Sequence, residues 1–230
     1  MRNSLILLGL LLITTAKAQK FGQKITGGFN GAVMIPSGEF REVNENVAWG
    51  LRGHAMYNPS RQVPVYVGLE LGYAVMGSTT QYFYDPYLGF YDEYAVTASS
   101  NIFSIQLKLR VQPTKNVAVR PFAEGLIGWN DFFSTVNVER QTYYRPDYND
   151  SYGNSSEAQW AMTYGGAGGL NIRLKKTGDQ WLELKTAYMI GRKTMYLTDP
   201  RIMSNGQVYF DQKESETNMI IPQVGIKFGL

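Results

Sequence analysis

The segment FSIQLKLRV, Phe103–Val111, decides the fold class of this chain. Apolar side chains occupy every second position from Phe103 to Val111, and polar or charged side chains, Lys108 and Arg110 among them, occupy the positions between. Successive side chains of a β-strand point to opposite faces, so this period of two predicts a strand with one apolar face and one polar face. A strand of roughly ten residues is long enough to cross a bilayer at the tilt usual in barrels.

Seven further segments show the same alternation. They are residues 24–36, 48–57, 64–76, 117–129, 160–174, 181–190 and 219–230. Residues 19–230 contain no apolar run long enough for a transmembrane helix, so the membrane-spanning units are expected to be these strands. Because an unpaired backbone group is costly in hydrocarbon, such a sheet has to close on itself. The pattern therefore predicts an all-β protein, an eight-stranded antiparallel up-and-down transmembrane β-barrel.

The connections between the predicted strands alternate in length. Short turns cover residues 58–63, 112–116 and 175–180, and longer connections cover residues 36–47, 77–101, 130–159 and 193–217. This alternation is typical of a barrel whose two rims face different compartments. A soluble β-sandwich is the alternative, but it gives no reason for the alternation or for a less apolar face rich in glycine and alanine.

Aromatic side chains on the apolar face are expected to form two girdles at the lipid interfaces. The inner girdle consists of Tyr57 and Phe228, and Trp181 departs from the pattern because its parity directs it into the barrel at the end of the short turns. The outer girdle is predicted to contain Trp49, Tyr73, Trp129, Trp160, Tyr164 and Tyr188.

The N-terminus has the features of a secretory signal peptide, residues 1–18, which leaves one domain at 19–230. An apolar run from Leu5 to Ile13 precedes Ala16-Lys17-Ala18, a small-x-small cleavage pattern. Loss of Arg2 and Lys17 leaves 20 basic and 19 acidic residues, a balance that does not favour a nucleic-acid partner. The chain has no cysteine, which excludes disulfides, thiolate metal sites and a cysteine lipid anchor.

Several segments together resemble a known family. MIPSGEF, VRPFAEGLIGW and NGQVYFDQKESETNMIIPQVGIKFGL, with eight alternating strands, are similar to small outer-membrane β-barrel proteins of Bacteroidota, whose barrel is like that of OmpA and OmpX. The resemblance implies a multi-pass barrel in the outer membrane of a Gram-negative bacterium, in contact with outer-membrane lipid. It also implies that the barrel-assembly machinery recognises Gln223, Gly225, Phe228 and Leu230 as an assembly signal. Members include porin-like proteins and subunits of larger machines, type IX secretion among them; no peptidoglycan-binding domain is expected here.

The predicted lumen is narrow and contains seven cations, three carboxylates and a histidine. An eight-stranded barrel leaves room for little more than side chains, and buried charges require partners, so these residues are expected to form a structural ion-pair network. The alternative is a narrow, porin-like channel that favours anions, because cations outnumber carboxylates. The predicted members are Arg52, His54, Glu70, Lys108, Arg110, Arg120, Glu124, Arg173, Glu183, Lys185 and Lys227.

Catalysis is not expected. His54 is the only histidine, and it lies in mid-strand on the lumen face without the serine or carboxylate pattern that a lipid-modifying barrel enzyme needs at its rim. The glycine-rich AMTYGGAGGL opens no helix and is poorly suited to binding phosphate. One histidine and no cysteine provide no metal-ligand spacing, so no metal, cofactor or catalytic residue is predicted.

The second and third long connections are rich in aromatic residues mixed with Asp, Asn, Ser and Gly. This composition is typical of protein-binding surfaces. Two alternatives are that alternate residues here continue the barrel walls above the membrane and pack on each other, or that the rings bind glycans. We therefore predict a non-enzymatic barrel that presents these loops to another outer-membrane or surface protein, either as an accessory subunit of a larger complex or as an adhesion protein. The family resemblance implies that such a complex is secretion-related. The predicted partner surface consists of Tyr82, Tyr84, Tyr87, Phe90, Tyr91, Tyr143, Tyr144 and Tyr148.

Overall fold

The computed structural model describes residues 25–59, 63–85, 92–113, 117–142, 151–155, 158–175, 179–204 and 207–229. The predicted signal peptide and Leu230 lie outside the described residues. So do Tyr87, Phe90, Tyr91, Tyr143, Tyr144 and Tyr148 of the predicted partner surface, and for Tyr84 only the backbone is described.

The described residues form eleven strands and one short helix. The strands are β1 (Ile25–Pro36), β2 (Ala48–Tyr57), β3 (Val65–Asp85), β4 (Asp92–Val111), β5 (Val119–Thr142), β6 (Ser151–Ser155), β7 (Gln159–Arg173), β8 (Gln180–Gly191), β9 (Lys193–Ile202), β10 (Val208–Glu216) and β11 (Met219–Gly229). Helix α1 spans Glu39–Val43.

Eight of these strands close into the predicted barrel. The sheet runs β1-β2-β3-β4-β5-β7-β8-β11, every neighbouring pair is antiparallel, and β11 pairs with β1 to complete the ring. The closing ladder extends from Thr26↔Gly229 to Pro36↔Met219. The prediction of an eight-stranded antiparallel up-and-down transmembrane barrel is confirmed. Closure is expected physically, because a spanning sheet has no water available to satisfy a free edge.

Side chains alternate between lipid and lumen along the barrel strands. In β2, for example, Trp49 and Leu51 are exposed on the outer face while Arg52 and Met56 are buried inside. The rings predicted for the outer girdle all point outward, as does Tyr57 near the opposite rim. Among the described residues, no helix is long and apolar enough to span a membrane.

Three barrel strands continue far beyond the outer girdle. The residues predicted as loops after Met76, before Phe103 and after Trp129 instead extend β3 to Asp85, begin β4 at Asp92 and extend β5 to Thr142. β6 pairs with this part of β5 from Thr135↔Ser155 to Glu139↔Ser151. We call residues 77–85, 92–100, 134–142 and β6 the distal sheet. The prediction of loops was wrong for these residues, and the alternative, in which the barrel walls continue above the membrane, holds for them. A strand above the membrane does not need an apolar face.

The first and fourth long connections also contain regular structure, which the sequence did not indicate. β9 and β10 form an antiparallel hairpin from Lys193↔Glu216 to Ile202↔Val208. The hairpin and α1 lie over the distal mouth, the end of the barrel at which the long connections meet. There Tyr196 of β9 packs against Phe40 of α1, with ring centroids 5.3 Å apart, and against Phe132 of β5, at 5.6 Å. We call α1 with the β9–β10 hairpin the lid.

Candidate functional site

Glu70 of β3 lies at the centre of the lumen and pairs with three cations. Its Oε1 accepts a hydrogen bond from Arg52 Nη1 at 2.8 Å, and its Oε2 accepts from Lys108 Nζ at 2.7 Å and Lys185 Nζ at 2.8 Å. All four side chains are buried. They come from β2, β3, β4 and β8, so a single carboxylate joins opposite sides of the ring.

Glu124 of β5 is a second carboxylate within the same group. Arg110 Nε donates to Glu124 Oε1, and Lys108 Nζ lies 3.1 Å from the same oxygen. Lys185 Nζ is 3.4 Å from Glu124 Oε2, so Lys108 and Lys185 each contact both Glu70 and Glu124. Charge-assisted contacts of this density offset part of the desolvation cost of burying the ions.

Glu183 of β8 connects the network to the closing strands. Arg110 Nη1 donates to Glu183 Oε2 at 2.7 Å, and Asn30 Nδ2 of β1 donates to Glu183 Oε1 at 3.1 Å. The same Asn30 amide donates to Gln223 Oε1 of β11 at 3.3 Å. His54 Nδ1 is 4.0 Å from Glu183 Oε1, and the imidazole is buried, which leaves it out of reach of a substrate at the rim.

The remaining predicted cations lie at the end of the lumen that is away from the lid, beside the short turns. The guanidinium carbons of Arg120 and Arg173 lie 4.2 Å and 4.7 Å from the centroid of the Trp181 ring, which is directed inward as its parity predicts. Lys227 Nζ donates to Gln112 Oε1 at 3.1 Å and lies over the Tyr66 ring. These three cations thus contact aromatic rings and an amide at this end of the lumen.

The distal half of the lumen contains a different kind of side chain. Its buried residues are apolar, with a few uncharged polar groups such as Ser100 and Asn130, and none of its described residues is charged. The lid completes this layer with Phe40 and Tyr196. The apolar members are Ala32, Met34, Phe40, Ala48, Ala74, Met76, Ile102, Leu126, Phe132, Ala161, Ala187, Met189, Tyr196, Met219 and Ile221. The described lumen thus consists of a charged layer beneath a predominantly apolar layer.

A polar contact outside the membrane fastens the lid. Asp199 of β9 accepts hydrogen bonds from Lys213 Nζ of β10 and from Asn46 Nδ2 beside the barrel rim, both at 2.7 Å. The hydrogen bond from Lys213, aided by that from Asn46 and by nearby positive charge, lowers the pKa of the Asp199 carboxyl below its ordinary value, although partial burial opposes the shift. Asp199 also has a positive φ of 49°, a conformation that aspartate tolerates better than most residues.

The described aromatic side chains of the long connections include both exposed and packed rings. Tyr82 is 59% exposed, which makes it available to a partner. Phe132 is buried beneath the lid, and Phe133 lies 6.3 Å from Tyr73 on the outer face. Self-packing therefore accounts for Phe132 and Phe133, and Tyr82 is the one residue of the predicted partner surface whose side chain is described.

Three of the four residues of the predicted assembly signal are described, in β11. Gln223 faces the lumen beside Asn30, and Phe228 packs against Phe29 of β1 with centroids 6.3 Å apart. Gly225 faces Asn30 across the closing ladder, where a Cβ atom would overlap the Phe29 carbonyl oxygen. All three contact β1, so they have a structural part in closing the barrel.

No protein-family model and no curated protein matches this chain. Solved structures of similar shape do exist. Neisserial surface protein A (NspA) is 10% identical with a TM-score of 0.44, covering 90% of this chain and 96% of its own. A major outer membrane protein from Thermus thermophilus is 10% identical with a TM-score of 0.44, covering 90% of this chain and 99% of its own. The Yersinia pestis attachment invasion locus protein Ail is 12% identical with a TM-score of 0.37, covering 89% and 96%.

Likeness at this level carries no conclusion about function, and the fold assignment rests on the strand pairing itself. That pairing shows an eight-stranded antiparallel up-and-down transmembrane β-barrel. Sequence reasoning did not identify Phe40, Tyr196 or the Gln112 amide as parts of the lumen, and it placed Asn30 on the polar face of its strand without including it in the ion-pair network. Asn30 lies on the lumen parity of its strand, and that parity was the only available indication.

Proposed function

We propose that this protein is a non-enzymatic outer-membrane β-barrel of a Gram-negative cell envelope that holds a binding platform outside the cell. In this proposal residues 1–18 are a signal peptide, the chain is a Bacteroidota barrel of the OmpA and OmpX type, and its distal sheet binds another outer-membrane or surface protein. It serves as an accessory subunit of a larger, secretion-related complex. The barrel is the anchor, and the distal sheet is the working surface.

One observation carries this proposal: the lumen is filled while the sheet continues beyond the girdle. The buried Glu70 group and the apolar layer under the lid occupy the barrel interior, so the lumen gives little support to transport. Meanwhile β3 pairs with β4 as far as Asp85↔Asp92, and β4 pairs with β5 as far as Asp92↔Thr142. Long, paired strands above a membrane are rigid and suit the presentation of a surface such as that around Tyr82.

The chemistry of the lumen also favours a structural function over an enzymatic one. A general base has to reach the proton that it removes, but His54 is buried in mid-barrel next to Gly28 and Glu183. No group of three or more metal-ligating side chains occurs in the part of the chain that the structure describes.

Affinity purification from outer membranes in mild detergent tests the proposal, with two tyrosine variants as a matched pair. Tyr82 of the distal sheet and Tyr209 of the lid are similarly exposed, at 59% and 51%. We expect a stoichiometric protein to co-purify with the wild-type chain and with Tyr209→Ala, and its recovery to fall by about tenfold or more with Tyr82→Ala, as for an aromatic hot spot. Recovery of the wild-type chain alone would contradict the proposal.

A further inference from the structure

Among the described residues, no strand pairs with one long edge of the distal sheet. β2 pairs with β3 only as far as Trp49↔Val75, whereas β3 continues to Asp85 and pairs there with β4 on its other side. Within the described ranges, Gly77–Phe83 makes no backbone–backbone hydrogen bond other than those of the β3–β4 ladder. β9 lies against the lower part of this edge, where Thr79 Oγ1 donates to the Pro200 carbonyl oxygen at 3.0 Å. We call Gly77–Phe83 the β3 edge.

The β3 edge lacks the features that usually prevent pairing with a foreign strand. Its sequence, GSTTQYF, contains no charge and no proline, and threonine, tyrosine and phenylalanine favour extended structure. The lid hairpin of the same molecule also has free edges, and it carries numerous charges. These are Lys193, Asp199, Arg201, Asp211, Lys213, Glu214 and Glu216. The molecule therefore protects the edges of its lid and leaves the β3 edge open.

We propose that an extended, uncharged segment of a partner protein binds the β3 edge as an additional strand. This inference rests on the proposed function and specifies how the partner is held. Every second residue of the edge directs its backbone N–H and C=O away from β4, and an incoming strand would satisfy these groups through main-chain hydrogen bonds. Seven residues at about 3.3 Å each give a ladder of about 23 Å.

The side chains beside the edge also suit an uncharged strand. Thr80 forms a 3.0 Å hydrogen bond with Thr97 on the exposed face of the sheet, and Tyr82 projects from β3 two residues further on. A strand added beyond β3 would place its own side chains next to Thr80 and Tyr82, where aromatic and β-branched cross-strand pairs are favourable. A charged side chain at this position would find no complementary charge on the β3 edge.

A second copy of the chain in the same membrane cannot occupy the edge. Two such copies are related by an axis along the membrane normal, and barrel strands tilt by about 35–45° from that axis. The rotation tilts the second β3 in the opposite sense, so that the two edges cross instead of aligning. This geometry favours a segment of a different protein, approaching from outside the membrane, as the occupant.

Amide hydrogen exchange measured by NMR in detergent micelles tests the proposal, with a synthetic peptide as the probe. The peptide has the sequence YAVTASS of Tyr94–Ser100, because this segment already pairs residue by residue with Gly77–Phe83 on the other side. We expect the peptide to slow exchange at every second amide of the β3 edge by tenfold or more. Two further peptides carry N-methyl groups on alternate residues, one on the odd positions and the other on the even positions, and we expect one to retain binding while the other loses it.

Either of two results would overturn the inference. The first is that the peptide leaves exchange at the β3 edge unchanged, and the second is that both N-methylated peptides bind alike. Repeating the exchange measurement with the co-purified partner separates this inference from the proposed function. If that partner binds and leaves the β3-edge amides exchanging as before, the platform function stands and strand addition is wrong. If no partner co-purifies, the platform function itself is wrong.

Discussion

At the scale of single residues, Glu70 holds the charged layer together. It accepts hydrogen bonds from Arg52, Lys108 and Lys185, all of them buried. Replacing its charge leaves these cations with less compensation, and removing one partner from a buried ion pair typically costs about 3–5 kcal/mol. We expect Glu70→Gln to lower the free energy of unfolding by this amount, as measured by urea unfolding in micelles.

The control for this measurement is an ion pair of the lid. Lys193 Nζ lies 3.7 Å from Glu214 Oε2, and both side chains are more than half exposed. Because exposed pairs contribute only about 0–1 kcal/mol, Glu214→Gln should leave stability nearly unchanged. Equal effects of the two substitutions would show that Glu70 is not the centre of the network.

Membership of the charged layer could be predicted from the sequence, but its pairings across the barrel could not. Alternation along each strand predicts that Arg52, Glu70, Lys108 and Glu183 face the lumen. Once the apolar side chains of a strand face lipid, the side chains between them must face inward. The same reasoning did not pair Lys185 with Glu70, since their strands, β8 and β3, are not neighbours in the ring. Contacts across a barrel depend on tilt and stagger, which alternation does not encode.

At the scale of elements, the ladder between β1 and β11 decides whether the barrel closes. Gly225 lies where a Cβ atom would overlap the Phe29 carbonyl oxygen and the Asn30 side chain, so a larger residue forces the two strands apart. We expect Gly225→Ala to reduce the free energy of unfolding by about 1–3 kcal/mol, the usual cost of overpacking. Urea unfolding in micelles, monitored by tryptophan fluorescence, measures the difference.

Gly31 provides the matched control on the same ladder. A Cβ atom there would approach the Val224 carbonyl oxygen only to 3.7 Å, an ordinary contact. Gly31→Ala should therefore leave stability unchanged or raise it slightly, because alanine loses less backbone entropy than glycine on folding. A similar loss in both variants would mean that close strand approach is not the reason for Gly225.

Elements above the membrane were the least predictable from sequence. Strands within the bilayer need apolar residues at alternate positions, so their alternation is complete and their existence could be read directly. GSTTQYF needs no apolar face because Tyr82 and its neighbours meet water, and the β9–β10 hairpin is stabilised by contacts of Tyr196 with Phe40 and Phe132. Those contacts join residues far apart in the chain, so no local sequence pattern predicts them.

At the scale of the whole molecule, two independent layers close the lumen. The Glu70 network spans the middle of the lumen, and the apolar layer under Phe40 and Tyr196 occupies the distal half. We expect planar bilayers containing the purified protein to show no discrete conductance even at high salt. The double variant Phe40→Ala and Tyr196→Ala should also be silent, since the charged layer remains. Regular anion-selective currents from the wild-type chain would contradict this view and favour the narrow channel.

The network described around Glu183 has a further consequence for how the chain enters a membrane. Asn30 from the first strand and Gln223 from the last meet there, 193 residues apart in sequence, and Arg110 joins them from a strand on another side of the ring. An incompletely inserted sheet would bring unpaired ions into hydrocarbon before their partners arrive. Insertion is then expected to be all-or-none, with the charged interior penalising every partial intermediate.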